Sequence, residues 1–144
     1  MLVFKKKYYL FVQNTRDLNL NLIKIRGKFN IIYRNLKSKE KIETLRIYRN
    51  NCKKNGVNLY IANDTNLMSK IKADGLYISA HNKNLLLNTY SKKGFKIIGA
   101  AHNQREIDIK IKQGCKVIIF SRLFKTADPN KKGYLGVQKF NIIS

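Results

Sequence analysis

Short apolar runs rich in β-branched and aromatic residues recur along the chain. They cover Tyr8–Val12, Phe29–Tyr33, Val57–Ala62, Leu76–Ser79, Phe95–Ile98 and Val117–Phe120. Several, such as VIIF and, after its Asn, NIIY, are continuously apolar, as expected of strands covered on both faces. Stretches with helical spacing lie between them. Residues 39–54 carry Glu40 and Glu43 early, Lys53 and Lys54 late, and Gly56 just beyond, with Ser38 as an expected N-cap. That order suits the helix dipole and the usual end signals. Residues 103–113 open with Asn103, with Glu106 three positions on, and Gly114 stops them. Shorter helices are expected over 65–72 and 84–91. Residues 16–26 (RDLNLNLIKIR) alternate like a strand but occupy the place of a first helix, and the pattern leaves both open.

Strands alternating with helices indicate an α/β fold with a parallel sheet. With 144 residues and no linker or break in composition, a single domain over 1–144 is expected. Six strands suit an open doubly wound sheet, complete at this length, or about six of the eight units of a (β/α) barrel, which usually needs ~250 residues.

Composition is that of a globular chain, 44% hydrophobic and 26% charged, with no apolar run long enough to span a membrane. The opening MLVFKKKYYLF places apolar residues before the basic cluster, the reverse of a secretory signal, so a cytoplasmic location is expected. Cys52 and Cys115 lack metal-ligand spacing and cannot build a disulfide framework. Charge changes the picture more. Thirty Lys and Arg against eight Asp and Glu give +22, which points to anionic partners. The cations are mostly Lys, spread from Lys5 to Lys139 among seventeen Asn and eighteen Ile, a mixture that suggests an A/T-rich coding sequence. Such a bias does not explain the scarcity of acids. A phosphorylated small ligand is therefore favoured over specific nucleic-acid binding, which stays open as a separate class of function.

Both architectures gather ligands at the carboxyl ends of the strands. Those ends carry Gln13 and Asn14, Arg34 and Asn35, Asn63 and Asp64, Ser79, His81 and Asn82, His102 and Asn103, then Ser121, Arg122, Lys125 and Thr126. Singly, such residues cap helices and turn loops; at six successive strand ends they read as an anion-binding rim. His81 and His102 are candidate proton carriers near neutral pH. There is no P-loop, dinucleotide glycine motif, HExxH or nucleophile elbow.

From Val57 onward VNLYIANDTNLMSKIKADGLYIS, then FKIIGAAHNQREIDIKIKQGCKVIIFSRLFKT, with Tyr134-Leu135-Gly136 after it, resemble the thiamine-phosphate synthase family, which includes the related thiazole tautomerases. The likeness spans about residues 57–137 and rests on the order of its short motifs. It implies a TIM barrel that joins hydroxymethylpyrimidine pyrophosphate to thiazole phosphate, with Mg²⁺ and release of pyrophosphate. By position it implies Arg34 and His102 as catalytic residues, Arg34 and Asn63 as pyrophosphate contacts, and Asp64 as the Mg²⁺ ligand. Thr126, with Lys125 or Lys131 nearby, would hold the phosphate of the thiazole.

The departures are specific. Asn82 stands where the family has a second metal-binding Asp. Tyr77 and Ala80 replace the His and Gln of a His-x-Gly-Gln strand end, and Ala100-Ala101 stand in place of a pyrimidine-contacting Ser. Asp128-Pro129 replace a Thr-Lys pair. On this reading the last two strands of the barrel are missing, so two open sheet edges and self-association are expected. A catalytically inactive member that binds a phosphorylated ligand or a protein partner is the alternative.

Overall fold

The structure, a computed structural model, describes residues 7–37, 39–120 and 138–140. It contains strands β1 (Tyr8–Val12), β2 (Phe29–Tyr33), β3 (Asn58–Ala62), β4 (Gly75–Ile78), β5 (Lys96–Ala101), β6 (Val117–Phe120) and β7 (Gln138–Phe140). The helices are α1 (Ile42–Lys54), α2 (Thr65–Ile71), α3 (Thr89–Lys92) and α4 (Gln104–Lys112). Strand order is sequential, β1 to β7, as in a (β/α) barrel and unlike a doubly wound sheet. The fold is α/β and TIM-barrel-like, in incomplete form. The chain divides into two compact units, Met1–Leu76 and Tyr77–Ser144.

In the first unit β1, β2 and β3 are parallel, with Val12 level with Tyr33 and Tyr33 level with Ile61. Register partners share a face, so Val12, Ile31, Tyr33, Leu59 and Ile61 lie on one side. Leu45 of α1 shares a cavity with Tyr33 and Ile61, which makes this the helix side. Leu45, Tyr48 and Cys52 of α1 and Met68 and Ile71 of α2 are buried, at positions three and four apart. The opposite face starts with amides: Asn58 Nδ2 donates to Asn30 Oδ1 (3.1 Å), and Asn30 Nδ2 donates to the Tyr8 carbonyl (3.3 Å).

Asp74, just before β4, ties β3 to α1. Its Oδ2 accepts from Leu59 N (2.8 Å) and its Oδ1 from Arg49 Nη2 (3.2 Å), while Asp74 N donates to the Leu59 carbonyl (2.9 Å). Gly56 closes α1 at φ +68°, where a Cβ would sit 2.7 Å from Arg26 Cβ.

In the second unit β5 and β6 are parallel and α4 packs on β5. Gly99 lets this packing close up: a Cβ there would meet Lys110 Cδ at 2.6 Å and Cys115 Sγ at 2.8 Å. Strand β7 was not expected; it pairs antiparallel with β6, Ile119 level with Lys139, and so covers an edge expected to be open.

Three local expectations need correction. Residues 16–26 form neither strand nor first helix but a loop with one 3₁₀ turn, Leu20–Leu22, capped by Asn19. Helix α1 begins at Ile42 rather than 39, because Glu40 turns back to bind Thr15 and Tyr33; Ser38 lies outside the described residues. Residues 84–91 split into a 3₁₀ turn, Leu85–Asn88, and the short α3.

Candidate functional site

Arg34 follows β2 directly, and its backbone N–H continues the ladder to the Val12 carbonyl (2.9 Å). Strand alternation turns its side chain away from Tyr33 and the helix layer, toward the face that would line a barrel. The side chain is half-buried, and its Nε is buried with no hydrogen-bond partner. A buried donor without an acceptor costs about 1–3 kcal/mol, more when charged. At the next strand end Asn63 takes a left-handed conformation, φ +60°, unusual outside glycine but tolerated by Asn. It turns the chain so that Asp64 N–H reaches the Ala62 carbonyl (2.7 Å) and Asp64 Oδ1 caps α2 through Leu67 N (2.9 Å). Both residues are exposed. The ladder between β2 and β3 thus brings Arg34, Asn63 and Asp64 to neighbouring strand ends.

Glu40, which sequence reasoning missed as part of the site, fixes this rim from outside. Its Oε1 accepts from Thr15 N (2.9 Å) and the Tyr33 hydroxyl (2.9 Å), and its Oε2 accepts from Thr15 Oγ1 (2.8 Å). One carboxylate therefore holds the loops after β1 and β2 together. Burial pushes the Tyr33 hydroxyl up to about 12; the Glu40 carboxylate adds to the shift and the Asn35 amide opposes it. Beside Glu40 lies a cavity of about 360 Å³, floored by Ile42, Leu45 and Ile61 and rimmed by Lys39, Asp64 and Lys70. It opens on the helix side, away from Arg34.

The second unit carries its own rim. His81 and His102 follow β4 and β5, their ring centroids 6.0 Å apart. The Glu106 carboxylate accepts from His102 N (2.6 Å) and lies 3.3 Å from His102 Nδ1. Asn103 caps α4 through Glu106 N (2.9 Å), so the capping motif forms, with the reciprocal bond shifted to His102. The loop bearing His81 and Asn82 is gripped from α4. Lys110 Nζ donates to the Asn82 carbonyl (2.9 Å) and reaches Ala80 O (3.5 Å); Gln113 Nε2 donates to Asn82 O (2.8 Å) and Asn84 O (3.1 Å). Both side chains are fully buried, and burial holds the Lys110 ammonium below its usual range. Lys125, Thr126 and Lys131 lie outside the described residues.

The Mg²⁺ expected from the family has a narrow fit. Among the described residues no three His, Cys, Asp or Glu side chains converge as a metal cage. Asp64 offers one carboxylate with a single oxygen engaged. This matches the way Mg²⁺ is bound by one or two carboxylates plus substrate phosphates, and not by an all-protein cage.

A family model described as thiamine monophosphate synthase matches residues 5–144, nearly the whole chain. The chain belongs to the thiamine monophosphate synthase family. The match extends the resemblance from its clear part after Val57 back through β1 and β2, and so includes Arg34. Among solved structures, the thiamine phosphate pyrophosphorylase from Pyrococcus furiosus superposes with a TM-score of 0.62 at 13% identity, over 83% of this chain. The aligned part is 62% of that protein's length, and at this identity the likeness shows the shared fold. No curated protein matches the chain by sequence. Among the described residues no helix is long and apolar enough to cross a membrane.

Proposed function

We propose that the chain acts as a thiamine-phosphate synthase-like protein, binding a pyrophosphate-bearing pyrimidine at the β2–β3 strand ends for transfer to a thiazole phosphate with release of pyrophosphate. The observation that carries this is Arg34: a half-buried guanidinium whose Nε has no acceptor, facing away from the helix layer beside Asn63 and Asp64. A pyrophosphate oxygen supplies the missing acceptor in a charge-assisted bond. Asp64 would share Mg²⁺ with the same phosphates; when bound, the ion offsets negative charge building on the departing group. Asn63 offers an amide at the turn between them. By family position, Thr126, with Lys125 or Lys131, would take the thiazole phosphate, and His102 would carry a proton. A cytoplasmic location and phosphorylated small-molecule substrates belong to the same reading.

The assay mixes hydroxymethylpyrimidine pyrophosphate, thiazole phosphate and Mg²⁺ and follows thiamine phosphate. With one metal carboxylate replaced by Asn82 and no carboxylate cage among the described residues, slow turnover is expected, together with clear pyrophosphate binding. Arg34→Ala should weaken pyrophosphate binding about tenfold or more, the effect of one charge-assisted contact. Asp64→Ala should do so only when Mg²⁺ is present. Pyrophosphate binding with no turnover would favour the inactive, ligand-binding alternative; no pyrophosphate binding would remove the site.

A further inference from the structure

A groove lined by basic side chains lies at the other end of the first unit. Helix α1 ends just before β3 and α2 just before β4, so the helix C-termini lie where those strands begin, opposite Arg34 and Asp64. Between them runs a groove of about 440 Å³ lined by Arg46, Arg49, Lys53, Lys70 and Lys72, with Asn50 and Ile71 and no carboxylate. Arg46, Arg49 and Lys53 share one face of α1 at spacings of three and four, where like charges repel. The helix dipole accounts for Lys53 and Lys70 in their last turns. Arg46 and Arg49 lie before that turn, and each pairs with one carboxylate.

Two acids stand nearby, and both are already engaged. Glu43 pairs with Arg46 at 2.6 Å on the exposed side of α1, and Asp74 pairs with Arg49 at 3.2 Å. Arg49 is also fixed: its Nε donates to the Lys72 carbonyl (2.8 Å), and its side chain is only 14% exposed. The guanidinium is therefore set in place before any ligand arrives, so less rotamer entropy is lost on binding. Lys53, Lys70 and Lys72 are exposed around it and free to adapt.

We propose that this groove binds a chain of linked phosphates, from a free oligophosphate or from the backbone of a single-stranded nucleic acid. Several cations converging on one concavity suit consecutive phosphates better than a lone anion, and the site is separate from the Arg34 rim.

The test uses the full chain carrying Arg34→Ala, which weakens the Arg34 rim as an anion site, titrated with tripolyphosphate by calorimetry at low salt. Binding should persist in this variant and weaken at least about tenfold when Lys53→Gln and Lys70→Gln are added, with a thermal melt confirming that the fold is kept. It should also fall steeply with salt. Failure to bind, or binding indifferent to Lys53 and Lys70, overturns the proposal. A short oligothymidylate titrated in parallel separates the sources. Groove-dependent binding tighter than tripolyphosphate assigns the nucleic-acid backbone; oligonucleotide binding insensitive to the groove, beside groove-dependent tripolyphosphate binding, assigns the free oligophosphate.

Discussion

Asp74 offers the sharpest test of what holds the first unit together. As part of an Asp-Gly pair it reads as an ordinary turn residue, yet its carboxylate accepts from the fully buried Leu59 N–H and from Arg49. Asp74→Ala orphans that N–H, at about 1–3 kcal/mol for a buried donor. It also removes a partly exposed ion pair worth about 0.5–1 kcal/mol. The sum, about 1.5–4 kcal/mol, is a large share of the ~5–15 kcal/mol that stabilises a domain. For a chain of this size it corresponds to a fall in Tm of about 5–15 °C. Asp74→Asn keeps an acceptor for Leu59 and loses only the charge, so it should cost about 1 kcal/mol. A double-mutant cycle with Arg49→Gln should give a coupling of about 0.5–1 kcal/mol. Thermal and urea unfolding of the variants decide the matter. If Asp74→Ala shifts Tm by less than about 1 °C, or Asp74→Asn is as damaging as Ala, the Leu59 bond does not carry the stability assigned to it.

Two further outcomes follow from the packing. Gly56→Ala combines a left-handed backbone, φ +68°, with a Cβ 2.7 Å from Arg26 Cβ, so it should cost about 2–3 kcal/mol and lower the urea midpoint without changing the slope. Burial pushes the Cys52 and Cys115 thiols from 9.0 up to about 12, so both should resist thiol reagents at pH 8 until the protein unfolds. Because the folded values are raised, this contribution to stability is complete below pH 9 and is lost as pH rises toward 12; denaturation curves across that window should show the fall, and replacing both cysteines by Ala should lessen it while the raised Tyr33 hydroxyl keeps part of it.

The strands were legible because their signal is dense. Dense β-branched and aromatic runs such as VIIF and the Ile-Ile-Tyr of FNIIY have few alternatives to a strand, and the structure places them in sequential order. Residues 16–26 failed for a definable reason. Their Leu and Ile positions alternate, but Leu22 and Ile25 are exposed and only Leu20 is buried. The intervening Asn and Asp residues bind the local backbone instead: Asp17 Oδ2 accepts from Gln13 N and Asn14 N, and Asn19 Oδ1 from Asn21 N. Such bonds compete with a ladder and favour turns, which period-two hydrophobicity does not register. Strand β7 is three residues, Gln-Lys-Phe, too short to leave any pattern.

The site divides along the same line. The positions of Arg34 and Asp64 were legible from sequence because each follows an apolar run, and a strand end fixes a residue's height and, through alternation, its face. The residues that steady these rims were not. Glu40 reads as the first turn of a helix, yet it leaves the helix to bridge Thr15 and Tyr33, partners distant in sequence or on another element. Lys110 reads as a solvated charge among the isoleucines of α4, yet it is the buried side chain of that helix, while Ile111 is exposed. The reason lies in the loop after β4, whose carbonyls at Ala80, Asn82 and Asn84 receive donors from Lys110 and Gln113. Buried carbonyls require donors, and a long amphipathic side chain can cross an apolar layer to supply one. Which side chain does so depends on the distance between two segments about thirty residues apart. That distance is a property of the folded chain, and no local pattern encodes it.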